Sequence, residues 1–268
     1  MNLALAQMAV ESGAVKANLD RALARVASAA ADGADLVALP EVFDVGYFAF
    51  DSYDRVAQGL DGERLAHVAA AADEHDVAVL AGSVVEDLAA SREAGFETPV
   101  PEGLANTSVL FDSSGTRRAV YRKRHLFGYG SAESELLVPG ESTATAEVGD
   151  HVVGVTTCYD LRFPEQYRRL ADAGVTLVLV PSAWPYPRVE HWRLLPRARA
   201  VENLTYVAAV NGVGAFEDAE LLGRSAVYDP WGATLASAGD HPATVTADVG
   251  RERVDAVRDE FPALEDRR

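Results

Sequence analysis

The sequence predicts an α/β protein made of two similar layers, with helices outside and sheets packed together inside. Three observations predict it. Strand-like apolar runs alternate with helix-like amphipathic ones. The order strand, helix, strand, helix, strand, hairpin occurs over 3–123 and again over 151–239. Nothing between the two copies reads as a linker, so a single domain spanning 1–268 is expected.

Each element has a local reason. LALAQMAV (3–10) meets Glu11 without a basic leader, so it reads as a first strand and not as a signal peptide. Leu19, Leu23, Val26, Ala27 and Ala30 then share one helical face, and DLVALP (35–40) is a buried-strand run. A helix over 62–75 turns Leu65, Val68, Ala69 and Ala72 inward, before the strand VAVLAGSVVE (77–86). Residues 88–105, rich in Gly, Pro and charge, read as a long loop. TSVLFDSSGTRRAVYRK (107–123) is a hairpin turning at Asp112–Gly115. In the second copy, HVVGVTTC (151–158) and VTLVLVP (175–181) are strands around a helix at 163–173. A helix at 189–203, the strand TYVAAVNGVG (205–214) and a hairpin at 225–239 follow. The strand ATVTADV (243–249) and a short helix at 251–260 close the chain.

Composition narrows the function classes. With 24 basic and 41 acidic side chains the net charge is −17, which disfavours nucleic acid and anionic membranes as partners. Only Lys16 and Lys123 are lysines, and an acidic, lysine-poor chain resembles salt-adapted proteins whose self-repulsion is screened by salt. No apolar run approaches the roughly 18 residues of a membrane helix. The one cysteine excludes an intramolecular disulfide and a multi-cysteine zinc site, and a reducing, cytoplasmic location is expected.

That cysteine, Cys158, stands where an apolar strand stops and a helix-like segment starts. Glu41 and Lys123 stand at two other strand ends, and α/β sheets bind ligands beyond such ends. A helix start with Asp160 as its cap and Pro164 in its first turn would favour the thiolate of Cys158. The Tyr159 N–H and a lysine ammonium suit an oxyanion, and a carboxylate suits the thiol proton. Taken singly, each residue has a plainer reading: a small buried hydrophobe, a loop acid, a surface lysine. Only together do they point to acyl transfer. The six histidines show no ligand spacing, so no metal is expected. No dinucleotide fingerprint, Walker loop or GxSxG elbow is present. A Cys–His hydrolase using His125 or His191 stays open, as does a binding module without catalysis.

LPE (39–41), YRKRHLF (121–127) and CYDLRFPE (158–165) resemble the three signature blocks of the nitrilase superfamily of carbon–nitrogen hydrolases. PSAWPYPRVEHWRLLPRARAVEN (181–203) and DPWG (229–232) are similar to further blocks, and the likeness runs from Leu3 to about Phe261. The form CYDLRFPE is most similar to the amidase branch that includes ω-amidase and deaminated-glutathione amidase. The resemblance implies a four-layer αββα sandwich and hydrolysis of a small amide through a cysteine thioester, with no metal or organic cofactor. It implies Glu41 as base, Lys123 as stabiliser of the tetrahedral intermediate, Cys158 as nucleophile and a second glutamate, Glu133, with Glu135 as the alternative. It also implies a homodimer or larger assembly.

Arg162, four residues after the cysteine, and Arg188 are candidates to hold a substrate carboxylate, which favours ω-amides of dicarboxylic or 2-oxo acids. Tyr47 and Trp184 are candidates to line the cavity. A carbamoylase or a nitrilase of the same superfamily is the alternative. Two features depart from the pattern. Pro196 falls inside the helix at 189–203, which is therefore expected to start late or bend. The 88–105 loop is also unusual.

Overall fold

The computed structural model describes residues 1–217 and 219–267. The first half supplies β1 (Asn2–Gln7), α1 (Val15–Ala31), β2 (Leu36–Ala38), the short α2 (Tyr53–Val56), α3 (Glu63–Glu74), β3 (Ala78–Asp87), the short α4 (Leu88–Glu93), β4 (Leu104–Phe111) and β5 (Arg117–Arg122). The second supplies α5 (Glu133–Leu136), β6 (Ala144–Val148), β7 (His151–Val155), α6 (Pro164–Asp172), β8 (Leu177–Ser182), α7 (Val189–Asn203) and β9 (Tyr206–Asn211). It continues with β10 (Val213–Phe216), β11 (Ala219–Leu222), β12 (Ala226–Tyr228), β13 (Thr234–Ser237), β14 (Ala243–Asp248) and α8 (Arg251–Glu260).

Two six-stranded sheets result, ordered β14-β1-β2-β3-β4-β5 and β13-β12-β9-β8-β7-β6. The three parallel strands β1-β2-β3 correspond to β7-β8-β9, and each trio continues into an antiparallel hairpin. The period of two along each strand builds the layers. Leu3 and Leu5 face the other sheet, while Ala4 and Ala6 face α1 and α3. Leu177 and Leu179 meet that same inner layer, while Val178 and Val180 pack under α6 and α7. Each fully buried leucine contributes about 1.5–3 kcal/mol. The αββα sandwich follows from both faces of each sheet being apolar.

Three expectations need correction. The 88–105 segment is not all loop: Asp87 caps α4, its Oδ1 accepting from the N–H groups of Ala89 (2.9 Å) and Ala90 (3.1 Å). The helix containing Pro196 does not start late; it runs from Val189 with the proline buried inside it. An interior proline costs ~3 kcal/mol. Here Trp192 anchors the first turns independently, its indole N–H donating to Arg224 O at 2.7 Å. The strand read at 205–214 is two, because β9 ends at Asn211 and β10 pairs with β11 beside the site.

Candidate active site

Glu41 follows β2 through Leu39 and Pro40. The passage is possible because residue 82 is glycine: a Cβ there would lie 1.9 Å from Leu39 O and 2.3 Å from Pro40 O. Val42, next in the chain, has φ +43°, an outlier for a β-branched residue, and donates its N–H to Ser83 Oγ at 2.8 Å. The Glu41 carboxylate is thereby aimed across the sandwich. Its Oε2 accepts from Ala183 N–H at 2.8 Å, just past β8 of the other sheet.

Lys123 follows β5, with its backbone N–H on Asn106 O at 2.8 Å. The residue is only 1% exposed. Nζ donates to Glu41 Oε1 at 2.9 Å and to Glu133 Oε1 and Oε2 at 2.7 and 2.9 Å. Asn106 Nδ2 bridges the same two carboxylates, at 2.9 Å to Glu41 and 3.2 Å to Glu133. Glu133 also accepts from Phe127 N–H at 2.7 Å and from Tyr47 OH at 3.0 Å. Glu133 is fully buried whereas Glu135 is exposed, so the lysine meets the former.

Cys158 opens a 3₁₀ turn, Cys158–Arg162, that precedes α6. This corrects the expected helix start: Asp160 does not cap α6, whose N-cap is Phe163, but forms a reciprocal box with Thr157. Cys158 has φ +47° and is 8% exposed. Burial pushes the thiol well above its usual range, and the Glu41 charge pushes it further. Burial also raises Glu41, although Lys123 opposes this. Burial alone would depress Lys123, but Glu133 and Glu41 hold its ammonium well above the ordinary value.

Above the thiol lies a cavity of about 260 Å³. Lys123, Cys158 and Tyr159 line it, and so do all four residues named for substrate contact: Tyr47, Arg162, Trp184 and Arg188. Among the described residues neither Arg162 nor Arg188 meets a carboxylate within ion-pair distance. Arg162 instead lies over Trp184 (5.3 Å) and Tyr159 (5.9 Å), and Arg188 over Phe127 (5.6 Å). His125 turns to Asp160 and His191 to Arg162, so neither serves the thiol in the way a Cys–His hydrolase requires. Sequence reasoning missed Asn106, the Ala183 N–H and Gly82. A glycine inside a strand run signals close backbone approach, and a lone Asn in LANTSVLF signals a buried polar contact; the Ala183 N–H leaves no sequence signal.

This geometry gathers one buried cysteine, one buried lysine and two buried glutamates where the ends of the two sheets meet. The carbon–nitrogen hydrolase family profile matches residues 2–259, and the chain belongs to that family, as an enzyme acting on carbon–nitrogen bonds other than peptide bonds. A 2-oxoglutaramate amidase of Paenarthrobacter nicotinovorans is 36% identical over 241 residues, 88% of this chain and 79% of the relative. The omega-amidase NIT2 of Homo sapiens is 33% identical, covering 99% and 94%. In structure, a Glu-to-Gln variant of the amidase from Nesterenkonia sp. AN1 superposes with a TM-score of 0.84 at 29% identity, covering 100% and 94%. That structure shows covalent addition of the acetamide moiety of fluoroacetamide at the active-site cysteine.

Proposed function

We propose that the chain hydrolyses the ω-amide of a small acid that also carries a carboxylate, such as 2-oxoglutaramate, to the free acid and ammonia. Glu41 takes the thiol proton as Cys158 Sγ bonds the amide carbon. The carbonyl electrons move to oxygen, where Lys123 Nζ and the Tyr159 N–H hold them. The C–N bond breaks as Glu41 returns the proton to nitrogen, leaving a thioester. Water then loses a proton to Glu41, adds to the carbonyl, and the C–S bond breaks with the proton returned to sulfur. Negative charge thus passes from Glu41 to the oxyanion and back, so the buried site never gains net charge, which low dielectric would penalise. Glu133 holds Lys123 in place through both steps, with Tyr47 and Asn106 fixing Glu133 in turn.

The observation that carries the substrate reading is the pair of guanidiniums on the cavity wall without a carboxylate partner among the described residues. Their positive charge suits a substrate anion, and the relatives named for ω-amides and 2-oxoglutaramate accord with that. The expected result for Arg162→Met, and separately for Arg188→Met, is a KM for 2-oxoglutaramate raised about 10–100-fold, as for loss of one charged hydrogen bond. Hydrolysis of a neutral aliphatic amide stays within a few-fold. Equal effects on both amides would remove the carboxylate reading. Ammonia release from ureides or nitriles exceeding that from amides would favour the carbamoylase or nitrilase alternative.

An assembly of two or more copies and a cytoplasmic setting complete the proposal. Leu194 and Val201 on α7 are exposed, and Trp231, 5.7 Å from Phe261, is exposed with it. Apolar surface of this kind is commonly covered by a second subunit. Sedimentation is expected to return at least twice the 28.6 kDa chain mass; a single-chain mass at micromolar concentration would end that part.

A further inference from the structure

The turn bearing Cys158 and the strand end bearing Lys123 belong to different sheets, yet one carboxylate binds both. Asp160 is fully buried. Its Oδ2 accepts from Thr157 N–H at 2.8 Å and from Tyr121 OH at 2.6 Å. Its Oδ1 accepts from His125 N–H at 3.1 Å and meets His125 Nδ1 at 2.7 Å. Thr157 precedes the cysteine, while Tyr121 and His125 stand two residues to either side of Lys123. Around this centre, Gln166 of α6 donates Nε2 to Tyr121 OH at 2.5 Å, and the His125 ring stacks on Phe163 at 3.7 Å.

We infer that Asp160 is a positioning residue: its carboxylate holds Cys158 in its left-handed conformation and sets the reach of Lys123 to the same carbonyl. The inference rests on the roles proposed above for those two residues. A non-glycine residue at φ +47° costs about 1–3 kcal/mol and persists only where its surroundings over-determine it. The Thr157–Asp160 box supplies that constraint on both sides of the cysteine. The same carboxylate restrains the lysine strand at two points, so losing it frees the nucleophile and the oxyanion cation together. Charge matters as well as shape. Four donors converge on Asp160, and an amide can accept at only one of its two atoms. Sequence reading assigns this aspartate to a helix cap, a role that would leave the lysine strand untouched.

The test is Asp160→Asn, assayed for kcat, KM, Tm and the rate at which iodoacetamide alkylates Cys158. Misplacement of reacting groups by about 1 Å costs on the order of 100-fold. The expected result is kcat and alkylation both reduced by that order, KM within about threefold, and the protein folded at the assay temperature. A folded variant with wild-type kcat and alkylation overturns the inference, as does a loss that merely follows the unfolded fraction. If Asp160→Asn does not fold, the Tyr121→Phe, His125→Phe double variant is read the same way, since it removes two donors and leaves the Thr157 box. Its expected loss is about tenfold, again in kcat and alkylation and not in KM. Cys158→Ala separates the two levels: full activity there sinks the roles themselves, whereas an inactive Cys158→Ala beside an unimpaired Asp160→Asn sinks only the positioning claim.

Discussion

Glu41→Gln is expected to lower kcat for an unactivated amide by about 10²–10⁴-fold, the range for loss of a general base. Burial and the Glu41 charge both push the Cys158 thiol well above its usual range, so the proposed mechanism needs a base to take its proton. A glutamine of the same shape still accepts from Ala183 N–H or from Lys123, though not from both with equal geometry. Lys123 keeps Glu133, so the fold survives. The pH profile of kcat/KM carries a second sign. As the proposed base Glu41 must be ionised to act, and burial raises it, so wild-type activity is expected to fall on the acid side with a midpoint above the ordinary glutamate value of 4.5. Cys158 and Lys123 must keep their protons, and both are held above their ordinary values, so no alkaline loss is expected below about pH 9. In Glu41→Gln the acid limb disappears along with most of the rate. A variant within tenfold of wild type, or an unchanged acid limb, would show that another group takes the proton.

What the chain discloses without coordinates depends on how local the cause is. The alternation that puts Leu177 and Leu179 inward and Val178 and Val180 outward is written residue by residue, so the strands and their layers are readable. The same is true of the helix at 251–260, which has an amphipathic face and a glycine N-cap. The strand β6 escapes because it is a half-exposed edge, ATAEV, whose pattern is too short and too polar to register. Pairing of β10 with β11 is hidden by Gly212 and Gly214, which look like the frayed end of one strand. At the site, side chains with rare chemistry at strand ends, Glu41, Lys123 and Cys158, stand out from their surroundings. Their partners do not. Asn106 lies mid-strand, the Ala183 N–H belongs to no particular side chain, and Asp160 looks like an ordinary helix cap until Tyr121 and His125 arrive from another sheet. Long-range hydrogen bonds are set by packing, and packing is decided by layers that one sequence names only in outline.

Lys123→Met is the other large effect, and it tests stability as much as rate. Glu41 and Glu133 are fully buried around this ammonium, leaving Asn106 Nδ2 as the donor they share once it is gone. Removing one partner from a buried ion pair costs about 3–5 kcal/mol, because the other charge stays behind unpaired. Loss of an oxyanion donor adds about 10²–10³ in rate. The stability loss should depend on pH with a definite sign. Without the cation, the two carboxylates cannot both stay ionised, so the folded variant binds more protons than the unfolded chain and gains stability as pH falls. The Tm gap between wild type and Lys123→Met is therefore expected to be widest near neutrality and to narrow toward pH 5. Adding Glu133→Gln to Lys123→Met takes away the stranded charge and should recover much of the lost Tm while the enzyme remains inactive. A gap independent of pH, or a double variant no more stable than the single one, would mean that the methionine disturbs packing and that the two carboxylates do not need their shared ammonium.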